Sequence, residues 1–461
     1  MKENKTKSKK KKLLSLIPIA VIIVVIAVIP VMFLNYQAKR TGLTMSESLK
    51  RAIGGSKSIS KNEEITEVKN TGKRIDFLEP IPIGFEFTEP PMISHIQSVD
   101  LDVDGLLDVV LCDVRGNFVS WIRQFPEGTY KEKILSEKII APSHAQVIDF
   151  DKDGDLDIMV GVLGMLFPNN DKIGSVIILE NNGKCSFTKH VVVEKIARVS
   201  DVRAGDLNND GLMDLVAAQF GYDDGETRWM ENLGKWKFKS HLLQFLSGPV
   251  NAELVDIDAD GYLDIISLVS QEWEEIYCFI NDGKGNFHPN LLWGSGNEDY
   301  GSSGIALCDL DKDGDKDILY TNGDAFDYIP PQGRPWHGVQ WLENKGDLKF
   351  EYHRLCTFNG ATNVRAADFD NDGDLDLVAV SAFNNWNVPE SASFIMLEND
   401  GNMNFTKWEI AGKPTHLLCC EPGDFNKNGL MDVITAGMHA YPPFQNMGRV
   451  TLWLNNGVLK E

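Results

Sequence analysis

Two hydrophobic textures divide this chain of 461 residues. The first is one unbroken run, residues 13–34 (LLSLIPIAVIIVVIAVIPVMFL), opening at Leu13 and closing at Leu34 without a charge. As a helix rising about 1.5 Å per residue, it matches a hydrocarbon core of roughly 30 Å. It also exceeds the roughly 7–15 apolar residues of a cleavable signal. Tyr36, two residues before Ala38, makes a poor small-residue cleavage site, so an uncleaved transmembrane anchor is expected. The second texture starts near Ile75. Short apolar runs such as DIISLVS and DLVAVSA predict buried strands. Each is followed by a stretch such as IILENNGKCSFTKHVV, RWMENLGKWKFKSHLL, QWLENKGDLKFEYHRL or IMLENDGNMNFTKWEI. Apolar residues, a Gly-containing turn, then Phe and an alternating tail form a β-hairpin signature. Between the two textures, residues 35–74 are polar and without a sustained period, which predicts a linker.

What separates the short apolar runs is itself repeated. An acidic cluster places Asp100, Asp102, Asp104 and Asp108 in DLDVDGLLD, and Asp149, Asp151, Asp153 and Asp157 in DFDKDGDLD. The third and fourth place Asp206, Asn208, Asp210 and Asp214, then Asp256, Asp258, Asp260 and Asp264. Asp309, Asp311, Asp313 and Asp317 follow, then Asp368, Asp370, Asp372 and Asp376, and last Asp424, Asn426, Asn428 and Asp432. Successive clusters begin 49, 57, 50, 53, 59 and 56 residues apart. Side-chain oxygens at positions one, three, five and nine, with Gly at six for the sharp turn, suit Ca2+, which takes six to eight oxygen ligands. The carbonyl of position seven would complete the set. Position nine is Asp, and no amphipathic helices flank the loop, so an EF-hand is excluded. Up to seven structural Ca2+ sites are expected, the first and last being the weakest candidates.

Each repeat therefore supplies four strands: one before the acidic loop, one after it, and a hairpin pair. Four-stranded units at this period bury their faces only against neighbours, which is the logic of propeller blades. The seventh unit ends at TLWLNNGVLKE and lacks its fourth strand, whereas RIDFLEPIPIGFEF before the first loop has one to spare. A segment around residues 75–87 is predicted to complete the last blade. The fold expected is an all-β, seven-bladed β-propeller over residues 75–461, preceded by residues 1–12, a transmembrane helix at 13–34 and a linker at 35–74. The paired D-x-D-x-D-G-x-x-D and L-E-N-x-G motifs resemble the VCBS and FG-GAP repeat family, which includes the propeller of integrin α subunits. That resemblance implies a seven-bladed propeller with calcium between the first two strands of each blade. The literal FG-GAP tetrapeptide is absent, so an adhesion role is not implied.

Charge sharpens the picture. The net charge is −22, yet residues 1–74 carry 16 Lys/Arg against 5 Asp/Glu, leaving the rest strongly acidic. A body of that sign repels nucleic acid. The seven lysines of MKENKTKSKKKK should stay cytoplasmic and place the propeller on the periplasmic or extracellular side. The seven cysteines lack metal spacing and sit mostly in apolar runs, as buried small hydrophobes do.

The loops between second and third strands should gather on the face opposite the calcium loops. Several are long and aromatic, such as DAFDYIPPQGRPWHG, FNNWNVPE and MHAYPPFQNMG. They suggest a glycan or protein ligand near Trp336, His337, Trp386 and Tyr441. Alternation on the first strands turns His95, His144, Arg203 and Arg365 toward the axis. A binding or scaffold module is the expectation. The alternative is a polysaccharide-active, lyase-like enzyme, although no motif names catalytic residues.

Overall fold

The computed structural model describes residues 29–54, 72–167 and 169–459. The chain divides into two compact units, residues 1–56 and 57–461. In the first, helix α1 spans Ile29–Thr41 and helix α2 spans Met45–Gly54. Most of the expected membrane span, residues 13–28, lies outside the described residues; its last six residues open α1. Among the described residues no helix is long and apolar enough to cross a membrane. The end of α1 and all of α2 fall within residues 35–74, the segment expected to be a linker. Thr44 and Glu47 start α2 with a capping box: the Thr44 amide donates to Glu47 Oε2 at 2.8 Å, and the Glu47 amide to Thr44 Oγ1 at 3.2 Å.

The second unit is a seven-bladed propeller of four-stranded antiparallel sheets. We letter each blade's strands a to d from the axis outward. In blade one these are Ile93–Val99, Asp108–Asp113, Phe118–Gln124 and Tyr130–Glu137. Strand b is buried along its length in every blade. It lies between two other strands of its sheet and two neighbouring blades, which is why these runs are continuously apolar rather than alternating. Phe150, Phe369 and Phe425, each following the first Asp of its loop, are at most 3% exposed and pack into inter-blade clusters.

The ring closes as the chain ends predict. A strand at Ile81–Ile83, here β2, pairs with Val450–Trp453 and becomes the outer strand of blade seven. A second short strand, β1 at Ile75–Phe77, pairs with Asn455–Val458. Arg449 locks this seam from within. Its guanidinium, 5% exposed, reaches Asp113 at 2.5 Å and Glu132 at 2.5 Å, both in blade one. Glu132 in turn accepts the Phe85 amide at 2.6 Å, tying in the segment after β2.

Candidate functional site

The acidic loops join strands a and b on one face of the disc, and all seven are built alike. Position four is left-handed although never Gly: Val103, Lys152, Asn209, Ala259, Lys312, Asn371 and Lys427 have φ of 55 to 62°. The Gly at position six follows with φ of 83 to 101°. These two turns curl the loop so that alternate side chains converge. In Asp100–Asp102–Asp108, Asp149–Asp151–Asp157, Asp256–Asp258–Asp260 and Asp309–Asp311–Asp313, the carboxylate oxygens lie within 4.8 Å of one another.

The Asp at position nine is the keystone of each loop. One of its oxygens accepts the position-two amide, from Phe425 at 2.9 Å in blade seven and from Phe150 at 3.1 Å in blade two. The other accepts the amide of an Asn or Gln at the end of strand c, or just past it in blade seven: Gln124, Asn181, Asn232, Asn281, Asn344, Asn399 or Asn455, at 2.7 to 2.9 Å. The same Asn or Gln side chain donates to the position-eight carbonyl of its own loop. This clamp was hidden in the L-E-N motif, whose Asn reads from sequence as a turn residue only. Burial pushes the position-nine carboxyl up to about 6 in Asp108, Asp157, Asp214, Asp264, Asp317 and Asp432, and to about 7 in Asp376.

Position one divides the loops into two kinds. In blades one, three, four and seven both its oxygens accept amides, from positions five and six. In blades two, five and six position seven is Asp155, Asp315 or Asp374. There Asp149 Oδ1, Asp309 Oδ1 and Asp368 Oδ1 are buried without a hydrogen-bond donor. A buried carboxylate oxygen that lacks a donor fits a cation ligand. Two loops hold a cation of the chain itself. Arg123 Nη2 lies 2.6 Å from Asp102 and 3.1 Å from Asp104, and Lys73 Nζ lies 2.7 Å from both Asp370 and Asp372.

Inner strands are stitched blade to blade by their polar side chains. His144 Nδ1 is 3.2 Å from Asp201, and Arg203 reaches Asp201 at 3.2 Å and Glu253 at 2.6 Å. Arg365 pairs with Glu421 at 2.7 Å. The His95 and His144 rings stand 4.0 Å apart, and burial holds both imidazoles well below their ordinary value, hence uncharged. These four predicted ligand residues thus surround the axis in a mutually paired set.

At the other end of the axis, on the face of the b–c loops, a cavity of about 220 Å³ opens. Each blade contributes the residue six before its acidic loop: Ser94, Ser143, Ser200, Val250, Ser303, Thr362 and Leu418. The hydroxyls donate to the next blade's first strand, for example Ser94 to the Pro142 carbonyl and Ser143 to the Val199 carbonyl, both at 2.7 Å. Phe220, Phe326 and Phe383 add aromatic surface, and Arg198 and Asp324 add charge. None of the eight predicted ligand residues is among those lining the cavity. Tyr441 touches a lining residue, its hydroxyl donating to the Phe326 carbonyl at 3.0 Å. Trp336 donates to the Asp299 carbonyl, His337 is fully buried, and Trp386 packs beside His416 with ring centroids 5.2 Å apart. The hydroxyl ring escaped the sequence reading because two of its seven members are apolar.

Comparison with known proteins agrees with this architecture. The FG-GAP-like repeat matches at residues 100–160, 206–267, 256–320 and 332–379. No curated relative matches the sequence. Among solved structures, virginiamycin B lyase from Staphylococcus aureus superposes with a TM-score of 0.51 at 11% identity, covering 82% of this chain and all of its own. BBS1N in complex with ARL6DN gives 0.49 at 9% identity, over 82% of this chain and 96% of that one. At such identities the likeness is one of fold alone.

Proposed function

Starting from a chain that belongs to the FG-GAP-like repeat proteins, we propose a calcium-stiffened propeller, tethered to a membrane and displayed on its outer side, that binds a carbohydrate or protein partner. The observation that carries the binding role is the axial funnel, to which all seven blades contribute a residue. Its hydroxyls already donate to backbone carbonyls and so present lone pairs outward. Beside them Phe220, Phe326 and Phe383 line the same cavity. Hydroxyl acceptors set among aromatic side chains are the chemistry that receives a sugar ring.

Calcium has a structural part in this reading. Positions one, three, five and nine of the loops would hold the ion, which supplies positive charge to carboxylates that otherwise repel one another. The orphaned oxygens of Asp149, Asp309 and Asp368 support that assignment. Chelation should lower the melting temperature, and an unchanged melt in EDTA would remove calcium from the proposal. The membrane tether rests on the apolar run 13–34 and its lysine-rich flank. Deleting residues 13–34 should move the protein from the carbonate-resistant membrane fraction to the soluble one.

Glycan and peptide arrays probed with the purified protein in millimolar calcium test the funnel. Retention of one ligand class, lost on Phe326→Ala or Phe383→Ala, supports it as the binding site. Retention untouched by either change would move the site elsewhere on the surface.

A further inference from the structure

The seven acidic loops are alike in backbone but not in what stands over them. The strand-c residue after the one paired with the position immediately following the loop is Glu180, Glu231, Glu343 and Glu398 in blades two, three, five and six. It is Ile280 in blade four and Leu454 in blade seven. In blade one the same place holds Arg123. Where it is Glu, the carboxylate adds negative charge beside the loop: Glu180 acts on Asp151, and Glu343 on Asp311. In blade one the sign is reversed at a position fixed by strand pairing, and the guanidinium sits on Asp102 and Asp104 at 2.6 and 3.1 Å. The arginine is also braced, its guanidinium carbon 4.5 Å from the Phe125 ring centroid and 5.7 Å from that of Trp121.

We propose that Arg123 is the resident cation of the first acidic loop, replacing calcium there, so that this loop stays closed without metal. This rests on the calcium reading for the remaining loops, of which, among the described residues, only loop six has a cation of the chain on its carboxylates. A guanidinium offers fixed donors to two carboxylates at once and cannot be deprotonated, so it offsets the repulsion between Asp102 and Asp104 at every physiological pH. Loop six, where Lys73 makes a similar pair, keeps Glu398 at the equivalent place. Its lysine is half exposed on the segment before β1, so the assignment is confined to loop one.

Native mass spectrometry of the full chain, titrated with calcium, counts bound ions. Asp102→Asn should leave the count unchanged, whereas Asp151→Asn in blade two should lower it by one. Arg123→Glu, which restores the residue of four other blades, should raise it by one. Loss of an ion in the Asp102→Asn protein, or no gain in Arg123→Glu, would overturn the proposal. A melt in EDTA separates this from failure of the calcium reading itself. If the Asp151→Asn count does not fall, the calcium reading fails. Arg123→Gln should still lower the metal-free midpoint by roughly 1–3 °C. An unchanged midpoint would end the role given to Arg123.

Discussion

Glu274 is a carboxylate with 3% of its surface exposed, accepting from the Ser302 hydroxyl and amide and from the Gly301 amide. Burial outweighs those bonds and pushes its carboxyl up to about 8 from an ordinary 4.5. The folded protein therefore keeps a proton that the unfolded chain has released. Stability from this group is greatest below pH 4.5, declines as pH rises to about 8, and is level above that. Glu274→Gln should flatten that decline in melts taken from pH 5 to pH 9; identical slopes in the two proteins would contradict the assignment. Arg449→Ala has a different physical cause. It leaves Asp113 and Glu132 buried without their countercharge, a loss of about 3–5 kcal/mol in denaturant unfolding. Neither residue was legible in the sequence. Arg449 and its partners lie more than 300 positions apart and belong to no motif. The acidic-loop residues could be read because one spacing is kept in all seven copies. The face of the funnel was read from its aromatic b–c loops, but its ring of hydroxyls was not, because Val250 and Leu418 interrupt it.

At the scale of elements, the acidic loop shows how far a repeat can be read. Gly at position six announced its left-handed turn, whereas position four adopts the same region with Val, Lys, Asn or Ala and left no compositional trace. A non-glycine side chain there costs roughly 1 kcal/mol or more. Ala259→Gly, at φ 58°, should accordingly raise stability by up to about 1 kcal/mol, partly offset by the greater freedom of Gly in the unfolded chain. A decrease would mean that the Ala259 methyl is held by contacts worth more than the strain. Strand b was legible for the opposite reason: burial on both faces leaves an apolar run directly after each acidic loop. Helix α2 escaped notice because it is one short element outside the repeat on which the rest of the reading rests.

For the whole molecule, the decisive feature is closure. Blade seven borrows its outer strand from the start of the propeller, and Arg449 fastens blade seven to blade one. Removing the chain through Ile83 should expose the edge of Val450–Trp453 and convert a single cooperative melt into a broader, lower one. A truncated protein with an unaltered melt would show that the seam contributes little. Seven blades and the borrowed strand were both readable from the ends of the repeat, since a missing strand at one end matched a spare at the other.

The seam also sets a timetable. Ile81 leaves the ribosome early and Leu452, its partner, only about 370 residues later, a delay of roughly 20 to 70 seconds at 5 to 20 residues per second. Throughout that interval β2 is a strand awaiting its mate while six other blades assemble beside it. Pro82 stands at its centre and has no amide hydrogen to offer. A strand so blunted is a poor template for a passing neighbour, which protects the nascent chain until its own last blade arrives.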